Sequence, residues 1–271
     1  MSTLSAESGG KIEIYYEEEG SGGSLVMVGG FTSTVEVWGK LRPLLAEKHR
    51  VVMADNRGSG RTRVLEDDGD RAPGRFAMDL LALMDGLGIE RAHILGASMG
   101  GMIAQEFALR HPARTRSLTI AGSHFGGADK VDAAPGLREI RRRGGSPGAT
   151  DEERRAALET IFHPDIIRDR PEIVEFYDRN KRAFPHSKEE LEARTRGIEA
   201  FDLSDRVGSL EMPVLVIAGS HDVLVPTENS RLLAGRIPGA ELFIVEGTGH
   251  HFYSERPEAS ARAILDFLSK H

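Results

Sequence analysis

Short aliphatic runs recur along the chain, and most are followed directly by Gly or Asp, which favour turns. These runs lie at residues 25–28, 51–54, 93–95, 118–121, 214–218 and 242–245. Because apolar and polar positions do not alternate strictly within them, they predict strands that are covered on both faces. Residues 11–17 do alternate, with Ile12, Ile14 and Tyr16 on one side, which predicts a half-exposed strand.

Stretches with a helical repeat separate these strands. They lie at residues 37–45, 76–87, 100–110, 227–237 and 257–270, and Pro257 is well placed in a first helical turn. Strands that alternate with helices are typical of βαβ units. The pattern therefore predicts an α/β fold with a mostly parallel central sheet flanked by helices.

Residues 124–202 interrupt this alternation, since they contain no convincing strand pattern. Helices are predicted at residues 136–143, 151–162, 171–184 and 188–200, and residues 138–196 hold 14 basic and 13 acidic side chains. Near-balanced charge of this kind is typical of a solvated helical surface. We therefore predict a core formed by residues 1–123 and 203–271, with residues 124–202 as a helical insertion.

The amino-acid composition excludes several kinds of chemical site and binding partner. The 271 residues include no cysteine, which excludes disulfides, thiolate metal sites and a cysteine nucleophile. The formal net charge of −7 argues against a nucleic-acid partner. No apolar run approaches the ~20 residues that span a bilayer, so no membrane partner is expected. The first ten residues lack the features of a secretory signal, which predicts a loose polar tail and a cytoplasmic protein.

The strongest chemical motif is Gly96-Ala97-Ser98-Met99-Gly100, which follows one predicted strand and precedes a predicted helix. This is a G-x-S-x-G sequence in the strand–turn–helix context of a nucleophile elbow. The sharp turn strains the serine backbone, and side chains at the two glycine positions would collide with it. The motif therefore indicates that Ser98 is a nucleophile.

A serine nucleophile needs a base and an acid that orients the base. Asp222 follows the predicted strand at 214–218, and His250 follows the strand at 242–245. Both residues thus lie at the sheet edge that carries Ser98, where ligands collect in open α/β sheets. The order Ser98, Asp222, His250 is that of α/β hydrolases.

With these residues, the chain resembles the α/β-hydrolase superfamily over nearly its whole length. The resemblance rests on the elbow and three further motifs: Asp55-Asn56-Arg57-Gly58-Ser59-Gly60, Gly219 with Asp222 and Pro226, and His250 with Glu255 and Pro257. Within the superfamily it is similar to lid-bearing 3-oxoadipate enol-lactonases, aclacinomycin-type methylesterases and cofactor-free haloperoxidases. The resemblance implies that residues 124–202 form a lid, or cap.

It also implies an oxyanion hole made by the backbone amides of Phe31 and Met99. The superfamily usually has His-Gly where this chain has Gly29-Gly30, which leaves the loop less constrained. No organic cofactor is implied. No metal is expected either, because no H-E-x-x-H motif exists and the ten histidines show no zinc spacing.

Five residues near these motifs are candidate substrate contacts: Gly30, Trp38, His124, Phe125 and His251. Four have a competing structural interpretation, which is packing for Trp38 and Phe125, a hinge for His124 and a lining or surface position for His251. The expected partner is a small-molecule substrate, and the chain is expected to be a monomer or homodimer.

The predicted function is hydrolysis of a carboxylic ester or lactone of a small to medium-sized molecule, through an acyl-enzyme at Ser98. Two alternatives stay open. The same triad serves carbon–carbon bond hydrolases of the β-diketone or meta-cleavage type, although these commonly carry Trp where this chain has His251. The fold can also serve a non-catalytic ligand-binding protein, and Gly29 in place of the usual His keeps that interpretation open.

Overall fold

The computed structural model describes residues 2–144 and 148–271, in which nine strands form one sheet. The strands are β1 (Ser2–Glu7), β2 (Lys11–Glu19), β3 (Gly23–Val28), β4 (His49–Ala54), β5 (Arg63–Val64), β6 (Ala92–Ala97), β7 (Thr115–Ala121), β8 (Val214–Gly219) and β9 (Glu241–Val245). Their spatial order is β1-β2-β4-β3-β6-β7-β8-β9, with β5 also paired to β2.

Strands β4, β3, β6, β7, β8 and β9 run parallel, whereas β2 pairs antiparallel with β1, β4 and β5. In the parallel part, Val28 at the end of β3 lies beside Gly96 near the end of β6. This register brings the loop after β3 next to Ser98. The prediction of a mostly parallel sheet is confirmed.

Helices cover both faces of the sheet. Outside the β7–β8 connection they are α1 (Leu41–Ala46), α2 (Pro73–Gly86), α3 (Met99–Arg110), α9 (Glu228–Arg236), α10 (Phe252–Glu255) and α11 (Pro257–Leu268). Along β3, Val26 and Val28 join the core beneath α2, α3 and α9, while Leu25 and Met27 join the core beneath α1 and α11. Both faces of β3 are therefore buried, as its unbroken aliphatic run predicts.

In the described part of the chain between β7 and β8 there are five helices, which we call the intervening helices. They are α4 (Leu137–Gly144), α5 (Asp151–Glu159), α6 (Pro164–Asp169), α7 (Pro171–Ala183) and α8 (Lys188–Glu199). Ile161, Phe162, Ile166, Ile173 and Val174 form a small apolar cluster of their own among them. The sequence pattern indicated four of these helices and missed α6. No helix in the described part of the chain is long and apolar enough to cross a membrane.

Two local predictions are wrong. The expected polar tail forms β1, because Leu4 and Ala6 alternate with exposed residues and pack partly against the core. The helix predicted at 37–45 is divided into a 3-10 turn, Val35–Trp38, and α1. Gly39 separates them with a φ of 28°, which is outside the helical region.

Candidate active site

Ser98 lies between the end of β6 and the start of α3 with φ 57° and ψ −122°. It is the only non-glycine residue with positive φ in the part of the chain that the structure describes. Its amide donates to the Ala121 carbonyl at 2.8 Å, and its carbonyl accepts from the Ser123 hydroxyl at 2.8 Å. The strained turn is therefore anchored on both sides to the segment that ends β7.

The glycines of the elbow have a steric explanation. A Cβ atom at Gly96 would lie 2.0 Å from the carbonyl oxygen of Gly100. A Cβ atom at Gly100 would lie 2.1 Å from the Val28 carbonyl oxygen. Glycine at both positions thus lets β6 turn directly into α3 while β3 packs alongside.

Asp222 and His250 form the hydrogen-bonded pair that the motif spacing predicts. The Asp222 Oδ2 atom lies 2.7 Å from His250 Nδ1, and both side chains are buried. Asp222 Oδ1 accepts from the amides of Leu224 and Val225 at 3.0 and 2.9 Å, which fixes the carboxylate. Because Nδ1 is occupied by Asp222, Nε2 is the histidine nitrogen left for proton exchange.

Ser98 and His250 line one cavity together with the loop that follows β3, including Gly30 and Phe31. A Cβ atom at Gly30 would lie 3.1 Å from Ser98 Cβ, so this glycine permits the loop's close approach. Met99 opens α3, and amides of a first helical turn lack intrahelical acceptors. Ser98, His250 and Phe31 thus line one space, and Met99 directly follows Ser98 at the start of α3.

Arg194 on α8 holds the Phe31 loop from behind. Its side chain is fully buried, and its guanidinium donates to the Phe31 carbonyl and, at 2.7 Å, to the Arg57 carbonyl. Its Nε atom donates to Glu190 at 2.7 Å, and Glu190 also pairs with Arg71. A charge from an intervening helix therefore helps to fix the loop that carries Phe31, together with the Asn56 side-chain amide, which donates to the Gly29 carbonyl at 2.8 Å.

A family model described as the alpha/beta hydrolase fold matches residues 23–257. The chain belongs to this family. The sequence-based identification of an α/β hydrolase is therefore confirmed.

Known relatives of this hydrolase act on several kinds of bond. A protein of Azorhizobium caulinodans that carries the name carbamate hydrolase RutD is 31% identical, with 97% of each chain covered. A 2-hydroxy-6-oxononadienedioate/2-hydroxy-6-oxononatrienedioate hydrolase of Paraburkholderia xenovorans is 29% identical over 97% of this chain and 93% of its own. A thermophilic esterase structure from Thermogutta terrifontis has a TM-score of 0.83 at 25% identity, covering 100% and 99%.

The structure places the five candidate substrate contacts in two groups. Gly30 and His251 line the cavity of the hydrolase. Trp38, His124 and Phe125 are not among the residues that line it in the described part of the chain. Trp38 packs in the core against Tyr253 with ring centroids 5.4 Å apart, and Phe125 is fully buried beneath Arg236, which fits the packing interpretation of both residues. His124 accepts the Gly126 amide through Nδ1 at 3.0 Å.

His251 is enclosed by aromatic rings. Its ring centroid lies 5.3 Å from Phe162, 4.9 Å from Tyr177 and 5.1 Å from Tyr253. Burial, reinforced by the charge of His250, holds the pKa of His251 well below its usual value. His251 is therefore a neutral lining residue beside the base candidate.

Glu255 supports the loop that carries His250. Its carboxylate accepts the Gly249 amide at 3.0 Å and the His163 amide at 3.2 Å. Burial raises the pKa of Glu255 to about 7 in spite of these two hydrogen bonds. The sequence marks Glu255 only as part of the family motif, whereas the structure shows that it connects the His250 loop to an intervening segment.

The candidate site residues predicted from the sequence include none from the intervening helices. Arg141 of α4 and Tyr177, Asn180 and Lys181 of α7 all line the cavity. Three of them are spaced at i, i+3 and i+4 on α7, which is the one local signal that they share a face. No group of His, Asp or Glu side chains in the described ranges is arranged to hold a metal ion.

Proposed function

We propose that this hydrolase cleaves a carboxylic ester or lactone through an acyl-enzyme formed at Ser98. The observation that carries the proposal is the 2.7 Å contact between His250 Nδ1 and Asp222, at the cavity that Ser98 also lines. A buried carboxylate on Nδ1 selects the tautomer whose Nε2 accepts a proton. Together the three residues have the chemistry of nucleophile, base and orienting acid.

The proposed reaction has two steps. His250 removes the Ser98 proton as the hydroxyl oxygen attacks the carbonyl carbon, and the amides of Phe31 and Met99 stabilise the resulting oxyanion. The tetrahedral intermediate collapses as His250 protonates the leaving alcohol or enol. A water molecule, deprotonated by His250, then attacks the acyl carbon and releases Ser98. Asp222 stabilises the imidazolium in both steps.

The intervening helices serve in this proposal as the lid over the cavity, with residues 124–202 as the cap and residues 1–123 and 203–271 as the core. Ile173 and Phe176 of α7 and Ile161 after α5 line the same cavity as Ser98. An apolar wall of this kind suits the body of a medium-sized organic substrate and limits the access of water. We therefore expect the lid to determine which substrates bind in the cavity.

The named activities of the relatives support hydrolysis and supply a second candidate. One relative is named for a dienedioate hydrolase and another for carbamate hydrolysis, so cleavage of a carbon–carbon bond or a carbamate with the same residues is the alternative. A panel of esters, lactones, carbamates and β-diketones separates these candidates. The proposal expects the largest kcat/KM for an ester or lactone, and a larger value for a carbamate or diketone favours the alternative.

Turnover of p-nitrophenyl butyrate tests the assignment of the residues. Ser98→Ala should lower kcat by on the order of 10⁴, because the covalent route is lost. Asp222→Asn should also lower kcat by a large factor, since the amide stabilises the wrong histidine tautomer. A Ser98→Ala protein that keeps most of its turnover, while remaining folded by circular dichroism, would show that another group is the nucleophile.

A further inference from the structure

The cavity that holds Ser98 is cationic, although the whole chain carries a net charge of −7. Arg141 and Lys181 both line it, and no Asp or Glu is among its lining residues in the described part of the chain. The net charge of the chain therefore does not indicate the charge of the cavity. Because positive side chains line the cavity without acidic ones, the cavity would attract an anion.

Neither cation has a carboxylate partner among the residues that the structure describes. Arg141 contacts Thr160 Oγ1 at 3.4 Å and lies near enough to Tyr177 to oppose the rise that burial causes in the pKa of Tyr177. Lys181 forms no ion pair within the described ranges. Asp178, three residues earlier on the same helix, pairs with Arg182. The two charges therefore lack a counter-ion in the described part of the protein.

The two cations differ in exposure. Lys181 is exposed to solvent at the cavity, whereas Arg141 is half-buried. Arg141 contributes to the low pKa of His251, after burial and His250. Two cations that line one cavity without an acidic lining residue attract an anion, most strongly at the half-buried Arg141.

The cationic pair lies apart from the reacting groups. His250 and His251 have ring centroids 5.9 Å apart, and His251 and Tyr177 have centroids 4.9 Å apart. Arg141 lies beyond Tyr177 in the lining of the same cavity and lowers the pKa of Tyr177 against the effect of burial. Two rings thus separate His250 from Arg141, so a single substrate can reach both ends of the cavity.

We propose that Arg141 and Lys181 bind a carboxylate of the substrate, at a subsite distinct from the oxyanion hole. The substrate class is then an ester or lactone that carries a carboxylate several atoms from the scissile carbonyl. This inference rests on the proposed function. A guanidinium matches the two oxygens of a carboxylate, and an ammonium adds a compact charge beside it.

Paired substrates of equal length test the subsite. Mono-p-nitrophenyl succinate, glutarate and adipate are compared with the p-nitrophenyl esters of butanoate, pentanoate and hexanoate. At least one charged ester should have a kcat/KM roughly tenfold above its uncharged counterpart, because charge-assisted hydrogen bonds in a partly buried site are strong. Added salt should reduce this ratio.

Matched variants assign the effect to the two cations. Arg141→Met and Lys181→Met should each lower the charged-to-uncharged ratio by about tenfold, mainly through KM. Arg143→Met and Arg182→Met remove charges on the same two helices away from the cavity, and should keep the wild-type ratio. A ratio below one for all three pairs, or equal ratios in the Arg141 and control variants, overturns the proposal.

Binding separates failure of the subsite from failure of the acyl-enzyme. Ser98→Ala protein is titrated with monomethyl glutarate and dimethyl glutarate by calorimetry. Tighter binding of the monoester, lost with Arg141→Met, supports the subsite even if no ester is turned over. Equal affinity for the two compounds, or affinity unchanged by Arg141→Met, rejects the subsite whether or not Ser98 is acylated.

Discussion

At the scale of single residues, the site depends on backbone conformations that few residues adopt. Ser98 holds a positive φ that costs a non-glycine residue about 1–3 kcal/mol, and hydrogen bonds at its amide and carbonyl maintain it. Gly122, beside Asp222 and His250, has a φ of 52°, a backbone conformation that residues with a side chain rarely adopt. The reacting groups are thus placed by the main chain before any substrate binds.

Arg194 gives a prediction at this scale. Arg194→Lys keeps a positive charge beside Glu190 but cannot reach the Phe31 and Arg57 carbonyls together, because an ammonium lacks the guanidinium fork. The loop after β3 that carries Phe31 should then be less rigidly positioned. We expect kcat for an ester to fall about tenfold to a hundredfold with a smaller change in KM.

The control for this variant is Arg71→Lys, which alters the other partner of Glu190 without touching the Phe31 carbonyl. Urea denaturation of both variants checks that the fold is retained. If kcat falls equally in both variants, or if only KM rises in Arg194→Lys, Arg194 does not position the loop that carries Phe31.

The predictability of individual residues depended on where they lie. Ser98, Asp222 and His250 each follow a strand. Because parallel strands bring their carboxyl ends to one edge of the sheet regardless of loop conformation, the sequence predicts that these residues lie close together. Arg141, Lys181 and Arg194 lie on helices rich in both charges, where the sequence does not show which side chains face inward. For Trp38 and Phe125 the sequence leaves packing and substrate contact both open, because an aromatic residue near a motif fits a core as well as a cavity.

At the scale of elements, strong hydrophobic runs determined what the sequence could predict. The inner strands of the parallel part appear as aliphatic runs because both of their faces are buried. The prediction that the run at 242–245 is covered on both faces is wrong, since β9 is an edge strand in which Leu242 and Phe243 are exposed. β1 gave only a weak signal, since Leu4 and Ala6 are its sole apolar positions in a polar edge strand. Helix α6, six residues long, is too short to show a helical period.

Leu4 provides the prediction for β1. Its side chain packs against α2 at Gly86, where a Cβ atom would lie 2.4 Å from Leu4 Cδ2. Leu4→Ala should lower the free energy of unfolding by about 1–2 kcal/mol, because a half-buried leucine loses most of its apolar contact. Thr3→Ala, at an exposed position of the same strand, should change it by less than about 0.5 kcal/mol. Equal effects in a urea titration would mean that β1 does not pack as described.

At the scale of the whole molecule, titratable groups buried in the fold set its response to pH. Burial lowers the pKa of His93 and of His124 to about 4. Both are neutral in the folded state at neutral pH, whereas their unfolded counterparts take up protons below about pH 6.5. The free energy of unfolding should therefore fall as the pH drops from about 6.5 to 4. Glu255, with its pKa raised to about 7, opposes this loss between about pH 7 and 4.5.

Urea denaturation at pH 7 and pH 5 measures these contributions. His124→Asn keeps an acceptor for the Gly126 amide but cannot take up a proton. Relative to the wild type it should lose less stability on acidification, by up to about 2 kcal/mol at pH 5. Glu255→Gln should lose more, since the folded state no longer gains a proton there. The same pH dependence in all three proteins would contradict these assignments.

The central claim is that Ser98 is an activated nucleophile, and covalent labelling tests it most directly. The protein is treated with a fluorophosphonate and the intact mass and labelled peptide are determined by mass spectrometry. The account predicts one phosphonyl adduct per chain, located at Ser98, with much slower labelling of His250→Ala and none of folded Ser98→Ala. Labelling of Ser98→Ala at the wild-type rate, or an unlabelled wild type, would contradict it.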